Sequence, residues 1–360
     1  MSTKQLVLIG TYTQPGKSKG IYSFLLDMET GVLEDERIGA GIVNPSWLTL
    51  NSARNRLYAV NELKEYGGKA SGSVSAFAFD LKTREMKLLN IRPSNGADPC
   101  HVVLNKQNTY IYVSNYSGGS VCVFPVLANG SLGEASQLIQ HEGSGVNKAR
   151  QCSPHAHSLC FDPSGRFAFV PDLGIDRLMA YRADAASGAL EAAPAPYFKA
   201  KPGTGPRHCT FHPNGKYLYV INELGSSINA LAYNETDASL LHLQIVSTIP
   251  ADFFDHNNCA DIHMTPDGRF LYGSNRGHNS IAIYRVDPGA GLLSLVDIES
   301  SRGKTPRGFC IDHSGAFLLA ANQDSDNVVV FCIDRATGRL RKVSEHAVPA
   351  PVCVKMYDFS

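Results

Sequence analysis

An all-β chain is predicted by three features of the sequence: a tight-turn phrase recurring along its length, a second turn repeating in phase with it, and apolar runs of strand length with no sustained helical pattern. The first phrase is a turn followed by an alternating apolar run. It reads "DPSGRFAFVPDLG" from Asp162, "HPNGKYLYVINELG" from His212, "TPDGRFLYGSNRG" from Thr265 and "DHSGAFLLAANQD" from Asp312. Weaker copies are "SARNRLYAVNE" from Ser52 and "KQNTYIYVSNYSG" from Lys106. The turn residue is Gly165, Gly215, Gly268 and Gly315 in the strong copies, and is read as Asn55 and Asn108 in the weak ones. Gly and Asn tolerate positive φ, so one tight-turn geometry explains the exchange. Successive copies lie 47 to 57 residues apart.

The second turn appears seven times: "TGVL" at Gly31, "TREM" at Arg84, "NGSL" at Gly130, "SGAL" at Gly188, "DASL" at Ala238, "AGLL" at Gly291 and "TGRL" at Gly338. Short strands at this period predict a seven-bladed β-propeller of four-stranded antiparallel blades. Seven hairpins against six copies of the first phrase imply that one blade is shared by the chain ends. "PVCVKMY" near the C-terminus would supply its inner strand, and residues from about 5 to 39 the other three. Pairing the N- and C-terminal segments closes the ring and removes an open sheet edge. The whole chain, residues 1–360, is read as one domain.

Composition narrows the class. Hydrophobic residues make up 43% of the chain, and 33 basic side chains balance 33 acidic ones. A neutral chain argues against nucleic-acid or membrane-surface partners. "LVLIG" is too short for a signal-peptide core, and no apolar run reaches membrane-spanning length. Nine scattered cysteines without a CxxC pair read as reduced core thiols, so a cytoplasmic location is expected. The sequence carries no signature of an oligomeric state.

Inner strands begin at "NPSW" (44–47), "DPCH" (98–101), "SPHAH" (153–157), "GPRH" (205–208), "CADIH" (259–263) and "TPRG" (305–308). The turns after second strands, from "NELK" (61–64) to "NQDSD" (322–326), are expected on the same face, around the mouth of a central channel. Five of the twelve histidines sit at inner-strand starts: His101, His155, His157, His208 and His263. Arg207, Arg276, Arg307 and Glu223 share those segments. Cations converging in a neutral chain suit an anionic ligand, a carboxylate or phosphate. Lys148 and Arg150, in the polar insertion "HEGSGVNKARQ" (141–151), could overhang the mouth and grip a phosphate. Each of these residues also has a structural reading, as a cap, an inter-blade ion pair or a solvated charge.

Other chemistries fit less well. His155 and His157 could share a metal, but no local motif supplies a third ligand, so no metal or other cofactor is expected. "SGG" at 117–119 lacks the strand-to-helix context of a phosphate loop, and no GxSxG elbow occurs. A non-catalytic docking propeller would carry WD or kelch signatures, which are absent.

"PHAHS", "GPRH", "VINEL", "ADIH", "TPDGRFLY", "SNRGH", "TPRGF" and "ANQDSDNV" resemble, in the same order, the propeller-type 6-phosphogluconolactonases and the related fungal 3-carboxy-cis,cis-muconate lactonizing enzymes. The resemblance implies seven blades, and a hydrolase opening a small anionic sugar-acid lactone such as 6-phosphogluconolactone. A muconate-type cycloisomerase is the alternative on the same framework. It carries over His157, Arg207, Glu223 and Arg276 as polar site residues, with His155, His208, His263 and Arg307 lining the pocket. Lactone hydrolysis needs a base for water, an electrophile beside the carbonyl and a clamp for the anionic tail. His157 or Glu223 would be the base, Arg207 the electrophile, and Arg276 the clamp with help from Arg307 or Lys148. His157 is favoured as base, because nearby arginines oppose the raised pKa a glutamate would need. Asp172 breaks the repeat: "VPDLG" has Asp where the other blades have Asn.

Overall fold

The computed structural model describes residues 3–13 and 16–359. The chain is a seven-bladed β-propeller of four-stranded antiparallel blades, and a single 3-10 turn, Gln323–Ser325, is the helical content among the described residues. The blades open with strands Leu48–Leu50, Pro99–Leu104, Cys160–Phe161, Pro206–Phe211, Asn258–Met264, Pro306–Ile311 and, for the terminal blade, Pro351–Asp358. Among the described residues no helix is long and apolar enough to cross a membrane.

Two compact units make up the chain. One comprises Met1–Ile42, Thr210–Ala232 and His242–Ser360; the other comprises Val43–Cys209 and Tyr233–Leu241. In the first unit Pro351–Asp358 pairs antiparallel with Lys4–Thr11, from Gln5 opposite Asp358 to Thr11 opposite Pro351. Tyr22–Asp27 and Leu33–Ile38 complete that sheet, as the shared-blade reading expects. Val7, Ile9, Phe24, Leu319, Val328 and Val354 pack around it with exposures of 2% or less. In the second unit a core of Tyr112, Val121, Val123, Leu159, Val170 and Leu190 does the same work. Burying each such side chain contributes roughly 1.5–3 kcal/mol.

All seven hairpin turns carry positive φ at the expected residue, from +57° at Arg84 to +87° at Gly130. Gly188 shows why glycine dominates: at φ +70° an added Cβ would also stand 2.3 Å from the Tyr110 ring. The other turn phrase is set by the residue that opens it. Asp312 Oδ1 accepts the Ala316 and Phe317 amides at 2.7 Å, and Asn105 Oδ1 accepts those of Thr109 and Tyr110. In the first weak copy Asn51 fills that seat, so the left-handed residue is Arg54 at φ +54°, one position before the expected Asn55. Tyrosines stitch blades together within each unit. Tyr58 and Tyr112 donate to the Gly130 and Gly188 carbonyls, and Tyr219 and Tyr272 to those of Gly291 and Gly338.

The first strands are irregular where the polar residues sit. The ladder shifts between Pro99 and His101, between Cys259 and Ile262, and between Pro306 and Gly308. Such bulges re-aim side chains at the end of a strand. The third of these openings, "SPHAH", departs furthest. Its opening strand shrinks to Cys160–Phe161, and only a bridge between Ala156 and Asp172 marks where the ladder would continue.

Candidate active site

In the second unit, five sequence segments bring aromatic rings together. Trp47 lies 4.8 Å from the His101 ring and 5.1 Å from that of His208. His157 and His208 are 5.4 Å apart, and the Tyr116 ring meets His157 edge-on at 5.2 Å. All three imidazoles are buried, as is Arg207 at 2% exposure. Two of the rings accept from N–H donors of known direction. Arg207 Nη1 donates to His208 Nε2 at 3.2 Å, so that nitrogen holds a lone pair. The Leu159 amide donates to His101 Nδ1 at 3.4 Å. Cys100 Sγ lies 3.2 Å from the His157 carbonyl and 3.6 Å from His157 Nδ1. The thiol has one proton; given to the carbonyl, it leaves sulfur to accept from Nδ1–H and puts the basic lone pair on Nε2.

His155 is half-buried and gripped on three sides. Its ring stacks on Tyr116 at 4.4 Å, its Nδ1–H donates to the Tyr116 carbonyl at 2.9 Å, and its amide donates to Asp172 Oδ1 at 2.7 Å. The insertion beside it is anchored at both ends. His141 is buried, and Gln151 Nε2 donates to the Leu173 carbonyl at 2.8 Å. Lys148 is exposed on this loop, whereas Arg150 turns back to the Tyr116 hydroxyl at 3.3 Å.

The first unit holds a cluster of different character. Arg276 Nη2 is 2.8 Å from Glu223 Oε2 and also donates to the Cys259 carbonyl at 2.9 Å. Burial pulls the Arg276 guanidinium below its ordinary pKa; Glu223 opposes that and Arg307 adds to it. Asp261, buried at 2% exposure, accepts the Ile262 amide through Oδ1 and the Phe309 amide through Oδ2, and holds His263 Nε2 at 3.2 Å. Arg307 lies over the Tyr12 ring at 5.4 Å.

Within the second unit, then, His155, His157, Arg207 and His208 come together, with Arg150 reaching their neighbour Tyr116. Within the first, Glu223 and Arg276 form one pair and His263 joins Asp261. Sequence reasoning passed over Cys100, Tyr116 and Asp261. Each lies inside a phrase singled out for another residue, and Asp261 could have been found as a lone acid on an inner strand. The thiols also differ from the expected uniform core: Cys152 is exposed, and Cys160 and Cys209 meet Sγ to Sγ at 2.7 Å.

The class this fold defines is the seven-bladed propeller, here with imidazole and guanidinium groups at the openings of its first strands. The chain belongs to the lactonase family of seven-bladed β-propellers, whose family model matches residues 6–356, and is thereby a carboxylic-ester hydrolase. It is 40% identical over 354 residues to the 6-phosphogluconolactonase of Bacillus subtilis, covering 98% of both chains. It is 34% identical to the 6-phosphogluconolactonase of Formosa agariphila, covering 98% of this chain and all of that one. Among solved structures, the periplasmic gluconolactonase of Pseudomonas aeruginosa superposes with a TM-score of 0.93 at 33% identity, covering 99% of this chain and 100% of that one.

Proposed function

We propose that the chain hydrolyses 6-phosphogluconolactone to 6-phosphogluconate, the lactone-opening step of the pentose phosphate pathway in the cytoplasm, and that the imidazole–guanidinium cluster of the second unit carries the chemistry. The observation that carries this reading is the Cys100–His157 contact beside the His208–Arg207 pair: with the thiol proton on a carbonyl, His157 Nδ1–H faces sulfur and Nε2 carries the lone pair. His157 takes a proton from water as the oxygen attacks the lactone carbonyl. Arg207 stabilises the developing oxyanion. The carbonyl–ring oxygen bond then breaks, and the imidazolium returns its proton to the departing ring oxygen. His208 accepts from Arg207 Nη1, and the buried Trp47 and His101 rings pack against His208. Arg150, with Lys148, meets the phosphate. His155 stacks on Tyr116, whose hydroxyl receives Arg150.

Glu223 suits the base role less well, because its partner Arg276 stabilises the ionised carboxylate and weakens it as a proton acceptor. Arg276, Arg307 and His263 are assigned here to anion binding in the first unit.

The test is acid release in a pH-stat from 6-phosphogluconolactone, gluconolactone and a muconolactone, each against a no-enzyme control because δ-lactones open spontaneously. The phosphorylated lactone is expected to be preferred by about 100-fold in kcat/KM, the worth of a well-placed charge clamp at about 2.7 kcal/mol. Equal rates for the two sugar lactones would remove the phosphate from the proposal. Turnover confined to muconolactone would replace hydrolysis with cycloisomerisation.

A further inference from the structure

Repeats reveal function where one copy breaks the rule, and the Asp172 blade breaks it twice over. In five other blades the residue at this seat is Asn, and in three of them it hands its amide to the carbonyl of the residue that follows the preceding blade's last strand. Asn115 Nδ2 donates to the Ser94 carbonyl at 3.0 Å, Asn275 Nδ2 to that of Thr248 at 2.8 Å, and Asn322 Nδ2 to that of Ser301 at 3.0 Å. Asp172 has no amide to give. The residue across from it, in the position of Ser94, Thr248 and Ser301, is His141, which donates from Nδ1 to Asp172 Oδ2 at 2.6 Å. The Tyr181 hydroxyl lies 2.8 Å from His141 Nε2 and completes a buried chain. The His141 and Asp172 side chains are exposed by 1% and 0%.

A carboxylate fits here because three N–H groups converge on it. Oδ2 takes His141, while Oδ1 takes the His155 amide at 2.7 Å and the Gly174 amide at 2.9 Å. An amide side chain at this seat would turn a donor toward one of those donors. The surroundings are tight: a Cβ on Gly174 would come within 1.9 Å of the Ser153 carbonyl oxygen. The segment so held is the one that lost its strand. His157 N still reaches the Pro171 carbonyl at 3.0 Å and Leu173 N the His155 carbonyl at 3.0 Å, so the run from His155 to His157 is pinned between Asp172 and its neighbours.

We infer that the Asp172–His141–Tyr181 chain is a positioning device, which sets the place of the His155–His157 segment and thereby aims the His157 imidazole. Asp172 and His141 are positioning residues; neither touches the reacting atoms. The inference rests on the hydrolase reading for its rate readout and on the repeat alone for its structural one.

The experiment restores the rule. The double variant His141→Ser with Asp172→Asn rebuilds the pairing of Ser94 with Asn115 and of Ser301 with Asn322, so the blade has the repeat's own way of closing. It is expected to fold with a melting temperature within about 4 °C of the parent. Its kcat on 6-phosphogluconolactone is expected to fall by about 10–100-fold, with KM changed less than about threefold, the pattern of a displaced reacting group. Hydrogen exchange at the amides of His155 and Gly174 is expected to quicken. A double variant that keeps kcat within about threefold overturns the inference, and so does a loss expressed wholly in KM. Should this variant not fold, Tyr181→Phe removes one hydroxyl from the chain; unchanged kcat and unchanged exchange at His155 overturn the inference there. A parent protein inactive on the lactone, combined with faster exchange in the variant, sinks the substrate reading and leaves the positioning role standing.

Discussion

Arg207 opens a first strand in one unit and Arg276 closes a second strand in the other, and the difference between their partners is instructive. Arg207 donates to a neutral imidazole in a pocket of aromatic rings. Arg276 is matched by a carboxylate 2.8 Å away, in a cluster where Asp261 also holds His263. One unit gathers imidazole rings beside a buried arginine; the other sets Arg276 against Glu223 and His263 against Asp261. Proton transfer near neutral pH suits the first arrangement, and holding cationic groups in place for an anion suits the second.

The largest expected effect breaks this comparison at its centre. Replacing His157 by Asn keeps a polar side chain near Cys100 but removes the basic nitrogen. Lactone hydrolysis above the spontaneous rate should fall by about 10²–10⁴-fold while thermal unfolding is nearly unchanged. A rate within about threefold of the parent would take His157 out of the mechanism. Glu223→Gln, assayed alongside, is the control from the other unit: a larger rate loss there than at His157 would reverse the assignment of the base.

Next in size is the charged pair itself. Arg276→Met leaves the buried Glu223 carboxylate without its 2.8 Å partner, and urea unfolding should show a loss of about 3 kcal/mol. Adding Glu223→Leu should recover part of that loss, because the buried carboxylate that Arg276 offset is gone. Strict additivity of the two changes would mean that the pair carries no coupling, and the contrast between the units would collapse.

How far the sequence foretold these clusters depends on how local their causes are. Positive φ at Gly31, Gly188 or Gly338 is written in a few adjacent residues, so the hairpins and the blade count were legible. His155, His157, Arg207 and His208 were legible as chemistry, because inner-strand starts recur in phase with those turns. Their contacts were not, since Cys100 and His157 are 57 positions apart and meet only through packing. His141 looked like an ordinary loop residue for the same reason: its meaning lies in Asp172, 31 positions on. The slip from Arg54 to Asn55 has a smaller cause. The repeat was aligned on the residue that best tolerates the turn, whereas the turn is set by the side chain of Asn51 that opens it.

A sharper form of the comparison asks whether the scaffolds beneath the two clusters are equivalent. Tyr112 in one unit and Tyr272 in the other make the same hydroxyl-to-turn bond, at 2.9 and 2.8 Å, and burial pushes both phenols well above their usual pKa. Tyr112→Phe and Tyr272→Phe should each cost about 1 kcal/mol in stability and leave kcat alone. A kcat change for either would show that the stitching reaches the chemistry.

The smallest effect concerns a turn in the first unit that uses His where other copies use Asp, Thr or Asn. His212 Nδ1 accepts the Asn214 amide at 3.0 Å, and burial lowers the ring's pKa from its ordinary 6.5. Between the lowered folded value and 6.5, the unfolded chain binds a proton that the folded chain refuses. The group's contribution is therefore complete above pH 6.5 and is lost as pH falls from there through the folded value. Protonation would also take the lone pair that receives Asn214. Urea midpoints measured from pH 7.5 to 5 should decline for the parent, and His212→Asp, which installs the acceptor found at Asp162 and Asp312, should flatten the part of that decline beginning near 6.5. Identical slopes would show that His212 titrates alike in the folded and unfolded chains, and that burial at this turn is too shallow to matter.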